Sequence, residues 1–268
     1  MRRLIANLTF VLSVIVIGQA DAALLFDVPT DTISIIGNTT IGNAATYEGL
    51  IYFTGPYGSD GTLYNEWTDS RSDKQLWVGP NHLLGYSFPV NAPTAFQANP
   101  TIGFGAWHHA AYVYDGSQES LYLDGTQVVT RPASGLVGNY LGTQVIGAIP
   151  RDDGLGHGVR ASFTGYLDWV RVSDTARYSG TTFIPPLSVP AGDANTQLLY
   201  DFTAATGGST VPDLSGNGHT GTFGVGFATA TAPQWVPDPA PEPCTFALLG
   251  VGALSLLVYA WRRQKRVA

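Results

Sequence analysis

Residues 107–130 read WHHAAYVYDGSQESLYLDGTQVVT, and their alternation of strand and turn formers decides the fold. Residues 107–114 carry Trp107, Tyr112, Val113 and Tyr114 with no Gly or Pro, a composition that reads as a strand. Asp115, Gly116 and Ser117 are turn formers. Leu121, Tyr122 and Leu123 return. Asp124-Gly125 is a two-residue hairpin signal in which glycine supplies the positive φ of a tight turn. Residues 126–130 run back again. The stretch predicts a three-stranded antiparallel meander.

The same grammar extends outward in both directions. Short β-branched and aromatic runs at 24–27, 32–36, 46–53, 62–67, 75–78, 86–88, 144–149, 165–172, 198–202 and 220–223 are separated by Gly, Pro, Asn and Asp. No apolar stripe of helical period occurs between residues 24 and 236. Many short strands with such punctuation predict an all-β domain, a sandwich or a barrel.

Three segments carry a resemblance. WHHAAYVYDGSQESLYLDGTQV is similar to the W-H-x-A-x-V-Y-D-G…L-Y-x-D-G-x-x-V signature of LamG-like, or concanavalin A-like, jelly rolls. FTGYLDWVRV at 163–172 resembles the G-x-(I/L)-D-x-V-R-(I/V) strand of that family. LLYDFTAATGGSTVPDLSGNGHTG at 198–221 resembles its D-x-S-G-N-G-x-x-G segment. That segment often opens such a domain. Here it closes it, so a terminal strand is expected from the other end. The resemblance covers residues 43–226 and implies an antiparallel β-sandwich of the lectin/glucanase type. It specifies fold better than activity.

The two ends read as sorting signals. Arg2 and Arg3, an apolar run at 8–17 and Ala20-Asp21-Ala22 make a secretory signal peptide over 1–22, too short to span a bilayer. At the other end, 237–245 is a proline-rich linker, 246–261 an apolar span and 262–268 a basic tail with Arg262, Arg263, Lys265 and Arg266. An apolar helix stopped by a basic cluster stays in the membrane with the cluster inside. Pro241-Glu242-Pro243, the span and the tail, in that order, resemble the PEP-CTERM signal of Gram-negative bacteria. That resemblance implies an exosortase as partner, passage through the inner membrane, and display on the cell surface or in the extracellular matrix. Cys244 stands where that signal usually has Ser or Thr, which leaves the cut site open. The rival reading is an ordinary single-pass anchor on a stalk. The domain expected between the ends is 23–236.

Composition narrows the function. The chain carries 13 basic and 20 acidic residues, net −7. Setting aside the six basic and two acidic residues of the two end signals leaves 7 against 18, about −11 for the domain. Nucleic acid needs a basic footprint, so it is not an expected partner. Cys244 is the only cysteine, so the domain has no disulfide.

Catalytic chemistry is not expected. Retaining glycosidases need two carboxyl groups about 5–5.5 Å apart. The laminarinase-type jelly rolls place theirs on one strand as E-x-D-x-x-E, a string missing from this chain. Only Glu48, Glu66 and Glu119 fall in the domain. His108 and His109 point to opposite sides of one strand and are expected to be packed there, and Asp168 to hydrogen-bond a turn. No Cys/His spacing suggests zinc. Calcium takes six to eight oxygens, and the resemblance implies a site at the sandwich rim. Asp60, Asp152 and Asp153 are candidate ligands, as are Asp213 and Asn217, with turn formation the rival role for all five. Trp107, Trp169 and Trp67 are expected in the core. Tyr57 and Tyr140 sit in glycine-flanked loops and are the expected ligand-stacking aromatics. The function expected is binding of a polysaccharide or of another surface protein. An inert matrix or adhesion component is the alternative, and a polysaccharide-degrading enzyme is the least favoured.

Overall fold

A computed structural model describes residues 22–54, 61–68, 71–87, 96–138, 142–151, 158–160, 162–204, 207–225 and 229–239. The end segments read as sorting signals lie outside the described residues, apart from Ala22 and 237–239. No helix among the described residues is long and apolar enough to cross a membrane.

In chain order the strands are β1 (Ala22–Phe26), β2 (Ile33–Ile35), β3 (Ala45–Tyr52), β4 (Gly61–Thr68), β5 (Arg71–Gly79), β6 (His82–Ser87), β7 (Phe96–Ala98), β8 (Trp107–Tyr114) and β9 (Gln118–Leu123). Then follow β10 (Thr126–Pro132), β11 (Thr143–Gly147), β12 (Ile149–Arg151), β13 (Gly158–Arg160), β14 (Gly165–Ser173), β15 (Thr196–Asp201), β16 (Thr210–Val211), β17 (Gly221–Phe223) and β18 (Gln234–Pro237). They form two eight-stranded antiparallel sheets and a small ribbon of β12 and β13. The first sheet runs β10-β9-β8-β3-β14-β1-β18, with β15 also on β14; the second runs β16-β17-β2-β11-β4-β5-β6-β7. The expected all-β antiparallel sandwich is the observed architecture.

The meander is as the sequence implies. Asp124 and Gly125 turn between β9 and β10 with φ of 49° and 74°. The first and last described strands help close the sandwich. β18 pairs with β1, β17 pairs with β2, and β1 and β15 share one edge of β14, against 165–167 and 169–173 respectively. The sandwich is therefore completed by strands from the far end, as the displaced D-x-S-G-N-G segment suggests.

The core lies between the sheets. Ala45, Tyr47 and Ile51 of β3, Ala110, Tyr112 and Tyr114 of β8, and Leu76 and Val78 of β5 belong to one buried cluster. Burying each of the larger side chains contributes roughly 1.5–3 kcal/mol. Bulges correct the alternation where the sequence breaks it. In β14 the register slips between Leu167 and Trp169, so Leu167 and Val170 both face the core although they are three residues apart. Trp169 and Arg171 are thereby turned to the outer face.

Candidate functional site

Each of the domain's three glutamates is buried and paired with a cation. Glu119 accepts from Tyr112 Oη at 2.8 Å and Arg131 Nε at 2.7 Å. Glu66 meets Lys74 Nζ at 2.6 Å inside the sandwich. Glu48 lies on the outer face of the first sheet, where Arg171 Nε donates at 2.7 Å, Tyr178 Oη at 2.6 Å and His109 Nε2 at 3.0 Å. Burial pushes the Glu48 carboxyl up, but the His109 hydrogen bond, the Arg171 charge and Tyr178 together hold it below the usual value. Tyr178 is pushed far up by burial and by the Glu48 charge.

Strand register orders this outer face into rows. One row is Tyr122–Ala111–Glu48–Arg171–Leu199, and the next is His109–Leu50–Trp169. A strap formed by residues 174–195 covers both. Tyr178 and Phe183 of the strap stack at 3.7 Å, and both pack around Tyr122 and His109. Tyr122 Oη donates to the Gly180 carbonyl at 2.9 Å. Phe183 N donates to the Gly125 carbonyl at 2.8 Å, and a Cβ on Gly125 would meet the Phe183 carbonyl oxygen at 2.1 Å. Gly125 therefore serves both the turn and the strap. Arg177 closes the strap on Asp193, with Nη2 to Oδ1 at 2.6 Å, and holds the Asp193 carboxyl well below its usual value.

The third row is open. Trp107, Tyr52, Tyr166 and Leu25 stand side by side across β8, β3, β14 and β1, and all four are half-buried. Tyr52 lies 5.5 Å from Trp107 at 62° and 5.5 Å from Tyr166 at 88°, so the rings stand edge to face. Trp107 Nε1 donates to Asp238 Oδ1 at 3.1 Å. Phe104, 46% exposed, lies in the loop just before β8, and a Cβ on its neighbour Gly105 would come within 3.8 Å of Tyr52 Oη. The structure thus offers a line of apolar ring surface with polar tips.

This row differs from the expected site. Tyr57, Tyr140, Asp60, Asp152 and Asp153 lie outside the described residues. Trp169 is buried, but on the outer face under the strap rather than between the sheets; the side chain of Trp67 lies outside the described residues; and Trp107 is on the open face rather than in the core. Its alternation was legible; which face would be covered was not. His109 is packed, and His108 on the other side of β8 pairs with Asp124 at 2.7 Å.

Asp213 organises its own loop. Its two oxygens accept from Leu199 N, Ser215 N, Ser215 Oγ and His219 N at 2.7–3.1 Å. A carboxylate has about four acceptor positions, so these donors fill them. Asn217 Nδ2 donates to the Thr196 and Gln197 carbonyls. Asp213 and Asn217 thus brace their own loop, the turn role that is the rival to calcium binding, and Asp60, Asp152 and Asp153 lie outside the described residues. Among the described residues no group of three or more His, Cys, Asp or Glu is placed to hold a metal.

No curated protein matches the sequence. Among solved structures, a candidate carbohydrate-binding protein from Bacteroides ovatus is similar in fold, with a TM-score of 0.59 at 20% identity over 80% of this chain and 61% of that one. This chain thus spans about three fifths of the Bacteroides protein's length. A heptameric pentraxin from Limulus polyphemus aligns with a TM-score of 0.44 at 19% identity, over 59% of this chain and 78% of that one. The profile of the concanavalin A-like lectin/glucanase superfamily matches residues 26–180. With the two-sheet sandwich and the motifs in β8, β9 and β14, that match establishes that the chain belongs to this superfamily.

Proposed function

We propose that this is an exported surface or matrix protein that binds a neutral polysaccharide through the Trp107–Tyr52–Tyr166 row. The observation that carries the reading is that row: three adjacent strands present half-exposed aromatic rings, whose faces suit the apolar faces of sugar rings and whose hydroxyls suit their polar edges. The carbohydrate-binding description of the Bacteroides relative, similar in fold, agrees with it. A domain charge of about −11 favours uncharged over acidic glycans. Catalysis is not part of the proposal, because each glutamate is tied to a cation.

Export, exosortase sorting and passage through the inner membrane rest on the end segments, above all Pro241-Glu242-Pro243 and the basic tail. Fractionation of cells with and without Glu242→Ala tests them. A protein left in the cytosol in both cases contradicts export. A glycan array with the full chain, in calcium and in EDTA, tests the ligand. Binding in both buffers supports the aromatic row alone, binding lost in EDTA adds calcium, and no binding in either favours an inert matrix component. The strap, which already covers two rows of the face, is the feature that favours this second reading.

A further inference from the structure

The inner face of the second sheet holds a cluster that neither the core nor the outer face requires. Lys74 of β5 stands opposite Glu66 of β4, and Glu66 stands opposite Gln144 of β11, so the three share one row. All three are buried, at 0%, 0% and 1% exposure. Lys74 Nζ donates to Glu66 Oε2 at 2.6 Å and to the Thr39 carbonyl at 3.2 Å. Gln144 Nε2 donates to the same Glu66 oxygen at 3.1 Å, and Gln144 Oε1 is buried with no partner. An amine and a carboxamide therefore converge on one carboxylate, away from water. As an ion pair such a cluster is a weak source of stability, because desolvating the charges offsets their attraction. The domain also has no cysteine with which to brace itself.

We propose that Lys74 and Gln144 are joined by an intramolecular isopeptide bond, formed by the protein itself with Glu66 carrying the protons. A proton passes from Lys74 Nζ to the Glu66 carboxylate, which leaves a neutral amine beside a neutral acid. The Nζ lone pair attacks Gln144 Cδ, and the carbonyl π pair moves onto Oε1. Glu66 gives its proton to Nε2 and takes one from Nζ. The Cδ–Nε2 bond then breaks, the oxygen pair re-forms the carbonyl, and ammonia leaves. No oxidant or cofactor is needed. Proximity and a positioned general acid–base supply the rate, and the buried amine is the nucleophile. The product ties β5 to β11 across β4, where a secreted domain of this size could have carried a disulfide.

Peptide mapping of the full chain tests this. Arg131 precedes a proline, which trypsin does not cleave, so the tryptic fragments that contain the two residues are 72–74 and 75–151. The expected product is a single fragment 72–151, uncut at Lys74 and lighter by one ammonia. Lys74→Arg, which lacks the nucleophile, should give separate fragments of full mass. Glu66→Gln keeps both reacting residues and should also restore cleavage at Lys74 and the full mass. Separate full-mass fragments from the wild-type protein overturn the proposal. A Lys74–Glu66 bond would instead attach 72–151, with loss of one water, to the preceding fragment that ends at Arg71, and would overturn the assignment to Gln144.

Discussion

The outer face of the first sheet divides into two regions with opposite fates. Around Glu48, His109 and Arg171 the strands present charges, and the strap seals them under Tyr178 and Phe183. One row further along, Trp107, Tyr52 and Tyr166 present rings and stay half-open. The contrast is physical. A carboxylate with a guanidinium, an imidazole and a phenol can be buried because every charge is matched. A row of rings can remain half-open because its rings pack edge to face and Trp107 Nε1 is satisfied by Asp238. If the proposed function holds, the sealed region serves stability and the open one recognition, and variants in each should separate cleanly.

The largest effect is expected at Glu48→Ala. Removing the carboxylate leaves Arg171 buried without its partner, which typically costs about 3–5 kcal/mol. Urea unfolding should show this, while glycan binding of the remaining folded protein stays at the wild-type level. Loss of binding without loss of stability would put Glu48 in the ligand site and erase the division. Next comes Phe183→Ala, which strips one ring of the stacked pair from the strap and should cost about 2 kcal/mol, again with binding kept. On the open side Trp107→Ala should reverse the pattern. Binding to the preferred glycan should weaken by about tenfold or more, some 1.4 kcal/mol, with the unfolding midpoint little changed.

The smallest effect is a pH dependence confined to the sealed side. The Glu48 carboxyl is held below its ordinary value of 4.5 in the folded state. Its contribution to stability is therefore complete above that pH and is lost as the pH falls below it, because the unfolded chain takes up the proton first. Unfolding curves from pH 6 to pH 3 should steepen in their decline below about 4.5, and Glu48→Gln should flatten that part of the profile. An unchanged profile in the variant would remove Glu48 from the acid response.

Much of the fold was legible because the strands at its centre are long, rich in aromatic residues and bounded by clear turn signals. Residues 107–130 announce their turns with Asp-Gly, and the structure places Asp124 and Gly125 at positive φ as that pair requires. Strands outside the reading are short or edge elements. Phe96–Ala98 has three residues, and Gln234–Pro237 follows Pro233 and ends on a proline, which suits an edge that needs few donors. The site was less legible. Alternation assigns Trp107 and Ala110 to opposite faces, but it is silent on which face a distant loop will cover. The strap that decides this comes 67 residues later, at Asp174, in a stretch of Pro, Gly and Ser with no strand pattern. The three buried glutamates were visible as rare residues, and the missing clue was the cation opposite each, set by register rather than by sequence neighbours.

The division of the outer face is tested most directly by one binding comparison. Wild-type full-length protein and the Tyr52→Ala/Trp107→Ala double variant are titrated against the neutral polysaccharide that the array ranks highest, with unfolding midpoints recorded for both. Saturable binding by the wild type, none by the double variant, and intact folding in each are expected. Equal binding by a folded double variant would contradict that division.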